Sequence, residues 1–272
     1  MKNAWDIRLE QLSVGYGTTS VLQNVSAVLP ASRVSVILGG SGCGKSTLLR
    51  HILGLLSPQS GKIWLGDIDL FSLNIREFRR VRRNFGVLFQ DGALLGALTL
   101  AQNVALPLKE HTRLDKKTIH QAALRTLSLV GLEEFAHYYP HQLSGGMRKR
   151  AGLARAIITE PTVLLCDEPT SGLDPITAAQ MDQLLLEMRQ RYPQMSIIVV
   201  SHDLASLANI ADTVLVLRAG AAVFSGSYAE LLATTDPYLQ HFLQRKAEQH
   251  HGTTYTALSP TVQKALQIWL DS

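Results

Sequence analysis

The sequence lacks the features of a membrane-spanning or nucleic-acid-binding protein. No uninterrupted apolar stretch reaches the roughly 20 residues that a membrane helix needs, and the nearest candidate, residues 92–108, contains Gln102, Asn103 and Pro107. Residues 1–6 lack the pattern of a signal peptide. The formal net charge of +4 is too small and too scattered to indicate nucleic acid. We therefore expect a cytoplasmic protein that does not bind nucleic acid and contacts membranes only through partners.

Apolar runs and helical patterns alternate along the 272 residues. Residues 34–38, 163–166 and 197–200 are continuous runs, which are typical of strands buried on both faces of a parallel sheet. Residues 61–67 alternate and predict part of an antiparallel hairpin, whereas residues 100–140 have helical spacing. The sequence therefore predicts an α/β fold. Its ligands should bind at the carboxyl ends of the strands.

A glycine-rich segment follows the first apolar run and precedes a helical pattern. Residues 39–46, Gly-Gly-Ser-Gly-Cys-Gly-Lys-Ser, match the P-loop pattern in this strand–loop–helix setting. Glycines let successive backbone N–H groups face one phosphate, and the helix N-terminus adds positive charge. Lys45 is predicted to contact the β- and γ-phosphates of a nucleotide, and Ser46 to ligate Mg²⁺. The predicted phosphate-binding residues are Gly39, Gly40, Ser41, Gly42, Cys43, Gly44, Lys45, Ser46 and Thr47.

The chain has only two cysteines, Cys43 and Cys166. Both lie inside candidate nucleotide motifs, and their number does not suit a disulfide framework, which favours a reducing cytosol. We expect both to be packing residues. Cys43, within the P-loop, could also make the ATP site sensitive to oxidation.

Two acidic residues end the second apolar run. Asp167 is predicted to hold Mg²⁺, directly or through water, and Glu168 to orient the attacking water as general base. Paired acids at a strand end can also form a solvated turn. The P-loop earlier in the chain favours the metal-and-base interpretation.

Residues 142–147, Gln-Leu-Ser-Gly-Gly-Met, resemble the signature of the ATP-binding cassette (ABC) family. The resemblance covers about residues 7–240, and further motifs follow in the family's order. It implies a P-loop NTPase with a RecA-like core and an antiparallel β subdomain. An α-helical subdomain at about residues 92–158 would be inserted and carry the signature. The ATPase domain would span residues 1–240, followed by a tail at 241–272.

The same resemblance gives roles to four further residues. Tyr16 is similar to the aromatic residue that stacks on adenine, although such a residue can also belong to a turn or the core. Gln90 resembles the family's loop glutamine, a Mg²⁺ ligand and water sensor rather than a surface residue. His202 resembles the switch histidine that contacts the γ-phosphate, although a capped histidine is the alternative. Asp174 matches the D-loop and would act across a dimer, unless it only caps a turn.

In this family the signature of one cassette and the P-loop of another enclose each ATP. Ser144, Gly145 and Gly146 would offer a hydroxyl, backbone N–H groups and a helix dipole to the γ-phosphate. The P-loop occupies the other side, so we expect a second copy of the chain as partner. Met147 departs from the family pattern, where glutamine is usual. Because backbone groups and Ser144 bind the phosphate, we expect activity to survive this difference.

The region after Gln90 carries a subfamily resemblance. Residues 89–94 and 103–112, together with residues 174–177, resemble the ATPase of Mla-type phospholipid transporters. This implies an integral-membrane permease, an MCE-domain protein and an accessory subunit as partners at the cytoplasmic face of the bacterial inner membrane. A polar amino-acid importer and a cell-division ATPase are the alternatives.

Two segments, an arginine cluster and a C-terminal helix, each allow more than one interpretation. The basic cluster of Arg79, Arg80, Arg82 and Arg83 forms a solvated helix face or contacts anionic headgroups or a partner's acidic loop. Residues 250–254 resemble a linker to a helix over Thr261–Leu270, with Ser259 as N-cap and Pro260 in the first turn. The apolar side of that helix comprises Val262, Leu266, Trp269 and Leu270. It would dock on its own chain, a second copy or an accessory subunit.

Overall fold

The computed structural model describes residues 4–244 and 259–270 and divides into two compact units, Met1–Ala233 and Thr234–Ser272. The domain boundary at residue 240 stays a prediction, and the proposed linker at 250–254 lies outside the described residues. Within the described ranges, no helix combines the length and apolarity needed to cross a membrane.

The described residues form both strands and α-helices. The strands are β1 (Ile7–Tyr16), β2 (Thr19–Leu29), β3 (Val34–Gly39), β4 (Ser60–Leu65), β5 (Ile68–Asp69), β6 (Phe85–Leu88), β7 (Val163–Asp167), β8 (Ser196–Ser201), β9 (Thr213–Arg218) and β10 (Ala221–Ser227). The helices are α1 (Lys45–Ile52), α2 (Ile75–Arg82), α3 (Leu100–His111), α4 (Lys116–Leu129), α5 (Gly145–Ile157), α6 (Pro175–Arg191), α7 (Leu204–Ile210), α8 (Tyr228–Leu232), α9 (Pro237–Leu243) and α10 (Pro260–Leu270).

Two sheets build the first unit. In the described residues, one sheet has the order β2-β1-β4-β5 with antiparallel pairing throughout, which confirms the predicted hairpin. The other has the order β10-β9-β3-β8-β7-β6, in which only the edge strand β10 is antiparallel. All residues of β3 and β8 are buried, as expected of strands covered on both faces. The α/β prediction is therefore confirmed.

The helix after the P-loop lies in the core between the sheets. Leu48, Leu49 and Ile52 of α1 share one hydrophobic cluster with Leu12 of the antiparallel sheet and Val200 of the parallel sheet. Burying a side chain of this size stabilises the fold by about 1.5–3 kcal/mol. The position of α1, and with it the loop before it, is therefore fixed by both sheets.

Helices α3, α4 and α5 form the helical region between β6 and β7. Thr99 caps α3 in a capping box with Gln102. Asn103, which is fully buried, accepts a hydrogen bond from the N–H of Leu95 at 2.7 Å and donates to the carbonyl of Leu98 at 3.0 Å. This one side chain therefore fixes the loop that leads into the helical region.

The second unit contains α9 and α10. The predicted C-terminal helix is confirmed, and it begins at Pro260. Val262 and Trp269 are exposed, whereas the side chains of Leu266 and Leu270 lie outside the described part of the structure. Where this helix docks stays a prediction.

Candidate nucleotide site

The P-loop connects the buried strand β3 to α1. Gly44 is the N-cap of α1 and has a φ of 104°, in the left-handed region that favours glycine. A Cβ atom at this position would lie 2.7 Å from Cδ2 of Leu22. The segment can therefore turn into the helix only with glycine at this position.

Lys45 is buried against the loop that precedes it. Its Nζ donates hydrogen bonds to the carbonyls of Gly39 at 2.8 Å and Gly40 at 2.9 Å. These bonds hold the ammonium group under the loop, beside a cavity of about 760 Å³ that we call the nucleotide cavity. It is lined by Val21, Gly40, Ser41, Gly42, Gly44, Lys45, Ser46, Thr47, Gln90, Glu168 and His202.

Residues far apart in the sequence thus meet in one cavity. Gln90, which follows β6, and Glu168 and His202, which follow β7 and β8, join the P-loop residues there. Gly39 and Cys43 are not among the lining residues. Cys43 is half-buried and Cys166 is fully buried, and both are free thiols. Burial raises the pKa of the Cys166 thiol, so this thiol is inert near neutral pH.

The predicted metal ligands fit a hard cation. Oγ of Ser46 donates to Oδ1 of Asp167 at 3.3 Å, and Gln90 lines the same cavity. Burial raises the pKa of the Asp167 carboxyl, whereas the hydrogen bond from Ser46 lowers it. Among the described residues, no cluster of three acidic, histidine or cysteine side chains could hold a metal alone. One carboxylate, a hydroxyl and an amide oxygen suit Mg²⁺, which also binds substrate phosphates.

Oε2 of Glu168 lies 2.8 Å from Nδ1 of His202. The side chain of Glu168 is largely buried, while that of His202 is mostly exposed. Glu168 has a φ of 50°, which non-glycine residues rarely adopt, and its N–H donates to the carbonyl of Val200 at 2.9 Å. This arrangement holds a carboxylate in the cavity beside the P-loop, where it could accept a proton from water.

Tyr16 lies at the end of β1, next to α1. Its hydroxyl accepts a hydrogen bond from Nη1 of Arg50 at 2.9 Å, and a hydrogen bond with Thr47 lowers the pKa of Tyr16. The side chain is 46% exposed. Adenine stacking by Tyr16 stays a prediction.

The predicted signature residues lie at the N-terminus of α5. Ser144 is the N-cap, and its Oγ accepts a hydrogen bond from the N–H of Met147 at 3.2 Å. Ser144 and Gly145 are exposed and Gly146 is buried. Residues 144–146 are not among those that line the nucleotide cavity of their own chain.

Asp174 caps α6. Its Oδ1 accepts hydrogen bonds from the N–H groups of Ile176 at 3.1 Å and Thr177 at 3.0 Å, and a hydrogen bond from the Thr177 hydroxyl lowers the pKa of Asp174. Within this chain the carboxylate of Asp174 therefore acts as a helix cap, which was one of the two predicted roles. A role across a dimer stays a prediction.

Two further residues near the cavity, Lys149 and Arg155 of α5, were not predicted from the sequence. Lys149 is buried and hydrogen-bonds the turn that begins at Glu168. Arg155 donates to the carbonyls of Ala93 at 2.7 Å and Gly92 at 2.8 Å, just after Gln90. A signal for Lys149 was present, because it is spaced with Gly146 and Leu153 on the buried face of α5.

The sequence pattern of the ABC transporter family matches residues 22–171. The probable ribonucleotide transport ATP-binding protein mkl of Mycobacterium tuberculosis (strain ATCC 25618 / H37Rv) is 38% identical over 237 residues, 87% of this chain. That match spans 66% of the mycobacterial protein, slightly less than two thirds of its length. The intermembrane phospholipid transport system ATP-binding protein MlaF of Escherichia coli (strain K12) is 36% identical over 242 residues, 89% of this chain and 90% of that protein.

Solved structures of ATP-binding cassettes share the fold. The dimeric post-hydrolysis state of the cassette MJ0796 bound to ADP and Pi matches with a TM-score of 0.74 and 30% identity, over 81% of this chain and 98% of that one. CbiO1 from Clostridium perfringens, part of the ABC transporter complex cbiONQ, matches with a TM-score of 0.77 and 29% identity, over 89% and 96% of the two chains.

Proposed function

This chain belongs to the ABC transporter family as an ATP-binding ATPase, and we propose that it powers phospholipid transport between membranes. Two copies would close on two ATP molecules and drive a membrane permease. The observation that carries the dimer is that the signature residues do not line the nucleotide cavity of their own chain. The dimeric state of the similar cassette MJ0796 also supports a dimer.

In the proposed mechanism, the P-loop of one copy and the signature of the other enclose each ATP before hydrolysis. The P-loop amides and Lys45 would bind the phosphates of ATP, and Ser144 of the partner copy would close the other side. Glu168, held by His202 and by its own N–H, would then orient a water molecule and take its proton. Mg²⁺, held by Ser46, Asp167 and Gln90, would neutralise phosphate charge. Hydrolysis would remove the γ-phosphate and reopen the dimer.

A groove beside the loop after Gln90 supports coupling to a permease. It has a volume of about 510 Å³ and combines apolar, basic and acidic lining residues, among them Arg82, Phe89, Pro107, Glu110, His111 and Arg155. Phe89 is 41% exposed although it immediately precedes Gln90. A short helix of a permease with mixed chemistry would fit there, so movement of Gln90 on ATP binding would reach the permease directly.

Two relatives favour different cargoes. The phospholipid proposal rests on MlaF, because the match covers nine tenths of that protein. The name of the mkl relative favours ribonucleotides instead, over a smaller share of its length. A permease, an MCE-domain protein and an accessory subunit at the cytoplasmic face of the bacterial inner membrane belong to the phospholipid proposal.

The cargo is tested by purifying the chain from its own membranes in mild detergent and identifying the bound proteins and lipids by mass spectrometry. A permease with an MCE-domain protein and bound phospholipid would support the proposal. An amino-acid permease, a nucleotide permease or a division protein would overturn it. The variant Lys45→Ala should lose ATP binding and transport together, whereas Lys116→Ala, at an exposed lysine, should keep both.

A further inference from the structure

A buried lysine of α5 holds the turn that carries Glu168. Lys149 is only 4% exposed, and lysine is almost never buried to this extent unless its charge is paired or hydrogen-bonded. Its Nζ donates to the carbonyl of Glu168 at 3.0 Å and to the carbonyl and hydroxyl of Ser171 at 2.6 and 3.1 Å. These acceptors match the three donors of an ammonium group.

The charges around Lys149 belong to the loops of the nucleotide cavity. Burial lowers the pKa of Lys149, whereas the carboxylates of Asp91 and Glu168 raise it. Asp91 is the residue after Gln90. The ammonium group is therefore attracted both to the loop that follows Gln90 and to the turn of residues 168–171, which we call the Glu168 turn.

The Glu168 turn needs such support. Its φ of 50° is unfavourable for a residue with a side chain, and it persists only where neighbouring groups fix it. The Glu168 carbonyl accepts from the N–H of Ser171 at 3.2 Å and from its hydroxyl at 3.0 Å, in addition to Lys149. Lys149 joins this network to α5, whereas the N–H of Glu168 is bound to Val200 of β8.

We propose that Lys149 is a positioning residue that joins the Glu168 turn to the signature helix, and thereby couples a chain's own ATP to the signature it presents to its partner copy. Ser144 precedes Lys149 by five residues, which is about 7 Å along a helix. A displacement of Ser144 by the partner's ATP would therefore move Lys149 and the turn with it. The coupling between copies rests on the dimer of the proposed function.

The first experiment compares Lys149→Met with the control Lys116→Met, in which an exposed lysine of the same helical region is replaced. Methionine is unbranched and only one atom shorter than lysine, and it removes all donors. We expect kcat for ATP hydrolysis to fall by about tenfold or more while the affinity for a fluorescent ATP analogue changes by less than about threefold, because Lys149 does not line the nucleotide cavity. The control should leave both values unchanged.

Two further variants separate positioning from folding. Lys149→Arg retains a cation with several donors and should recover part of the lost kcat. Ser171→Ala removes one acceptor, and the double variant with Lys149→Met should lose little more than Lys149→Met alone, because both changes break one network. A kcat within about twofold of wild type for Lys149→Met would overturn the proposal. Equal losses of kcat and ATP affinity would also overturn it.

The coupling is tested on the trapped dimer. In Glu168→Gln, adding Lys149→Met should reduce the ATP-dependent dimer by about fivefold at the same ATP concentration, measured by size-exclusion chromatography with light scattering. An undiminished dimer would overturn the coupling. If Glu168→Gln itself forms no dimer on ATP, the dimer of the proposed function fails, whereas the kcat of Lys149→Met still tests positioning within one chain.

Discussion

Nδ1 of His202 lies 2.8 Å from Oε2 of Glu168 at the edge of the nucleotide cavity. The two residues follow neighbouring parallel strands, β7 and β8, so the sheet brings their side chains together. The histidine orients the carboxylate, and the backbone bond from Glu168 to Val200 keeps its main chain in place. A base held from two sides can remain directed at one water position.

Replacing Glu168 by glutamine should separate ATP binding from hydrolysis. The amide keeps the shape of the side chain but cannot accept a proton, so the hydrolysis rate should fall by about 10²-fold or more. The variant should still bind ATP and accumulate as a dimer. Normal turnover measured by phosphate release would show that Glu168 is not the base. Glu187→Gln, on the surface helix α6, is the matched control.

Removing the contacts of Arg155 should weaken coupling rather than ATP binding. Its two hydrogen bonds to Gly92 and Ala93 join α5 to the loop after Gln90. Arg155→Met should reduce the stimulation of ATPase activity by the permease by about fivefold, with unchanged ATP affinity.

The matched control for Arg155 is Arg125→Met, because Arg125 is an exposed arginine of the same helical region. ATPase assays with the purified transporter and with the isolated chain measure the stimulation. Full stimulation of the Arg155→Met variant would contradict the role of these bonds.

Asp182 should make stability depend on pH. It is 3% exposed, and it accepts hydrogen bonds from Ser206 at 2.5 Å and Asn209 at 3.1 Å. Burial raises the pKa of the Asp182 carboxyl, although the hydrogen bonds oppose this. A raised folded-state pKa contributes stability that is fully present below the unfolded value of about 3.9 and is lost as pH rises through the folded value.

The melting temperature of wild type relative to Asp182→Asn should therefore be highest near pH 4 and fall as pH rises towards neutrality. Hydrogen bonds from Thr118 lower the pKa of exposed Asp115, so the comparison with Asp115→Asn should change only as pH falls below the unfolded value of about 3.9 and should stay nearly constant from pH 4 towards neutrality. Thermal unfolding at several pH values without nucleotide measures both. Parallel curves for the two pairs would contradict the sign for Asp182.

Asn103 should be a large contributor to the stability of the helical region. Replacement by leucine would leave the N–H of Leu95 and the carbonyl of Leu98 without their partner in a buried place. Each unsatisfied group costs about 1–3 kcal/mol, so the free energy of unfolding should fall by about 2 kcal/mol or more. Urea titration should detect this. Gln121→Leu, at an exposed position of α4, should be close to neutral.

Local patterns were sufficient to predict three strands of the parallel sheet and the P-loop, whereas the interpretation of the acidic pair depended on the P-loop earlier in the chain. Continuous apolar runs predicted β3, β7 and β8, because strands covered on both faces carry few polar residues. The motif at Gly39–Ser46 predicted the loop, because its glycines allow backbone N–H groups to surround a phosphate and its lysine supplies a positive charge. Family resemblance added Gln90 and His202, which no local pattern identifies.

The tertiary structure decided which polar side chains are buried and what they bind. Lys149 and Arg155 carry charged side chains, which are normally expected to face solvent. In the folded chain α5 packs so that both bind carbonyls of distant loops. The carboxylate of Asp174 caps α6. The hydroxyl of Tyr16 accepts a hydrogen bond from Arg50 because β1 lies beside α1. Motif chemistry is encoded over a few neighbouring residues, whereas burial and hydrogen-bond partners depend on segments that only the completed fold brings together.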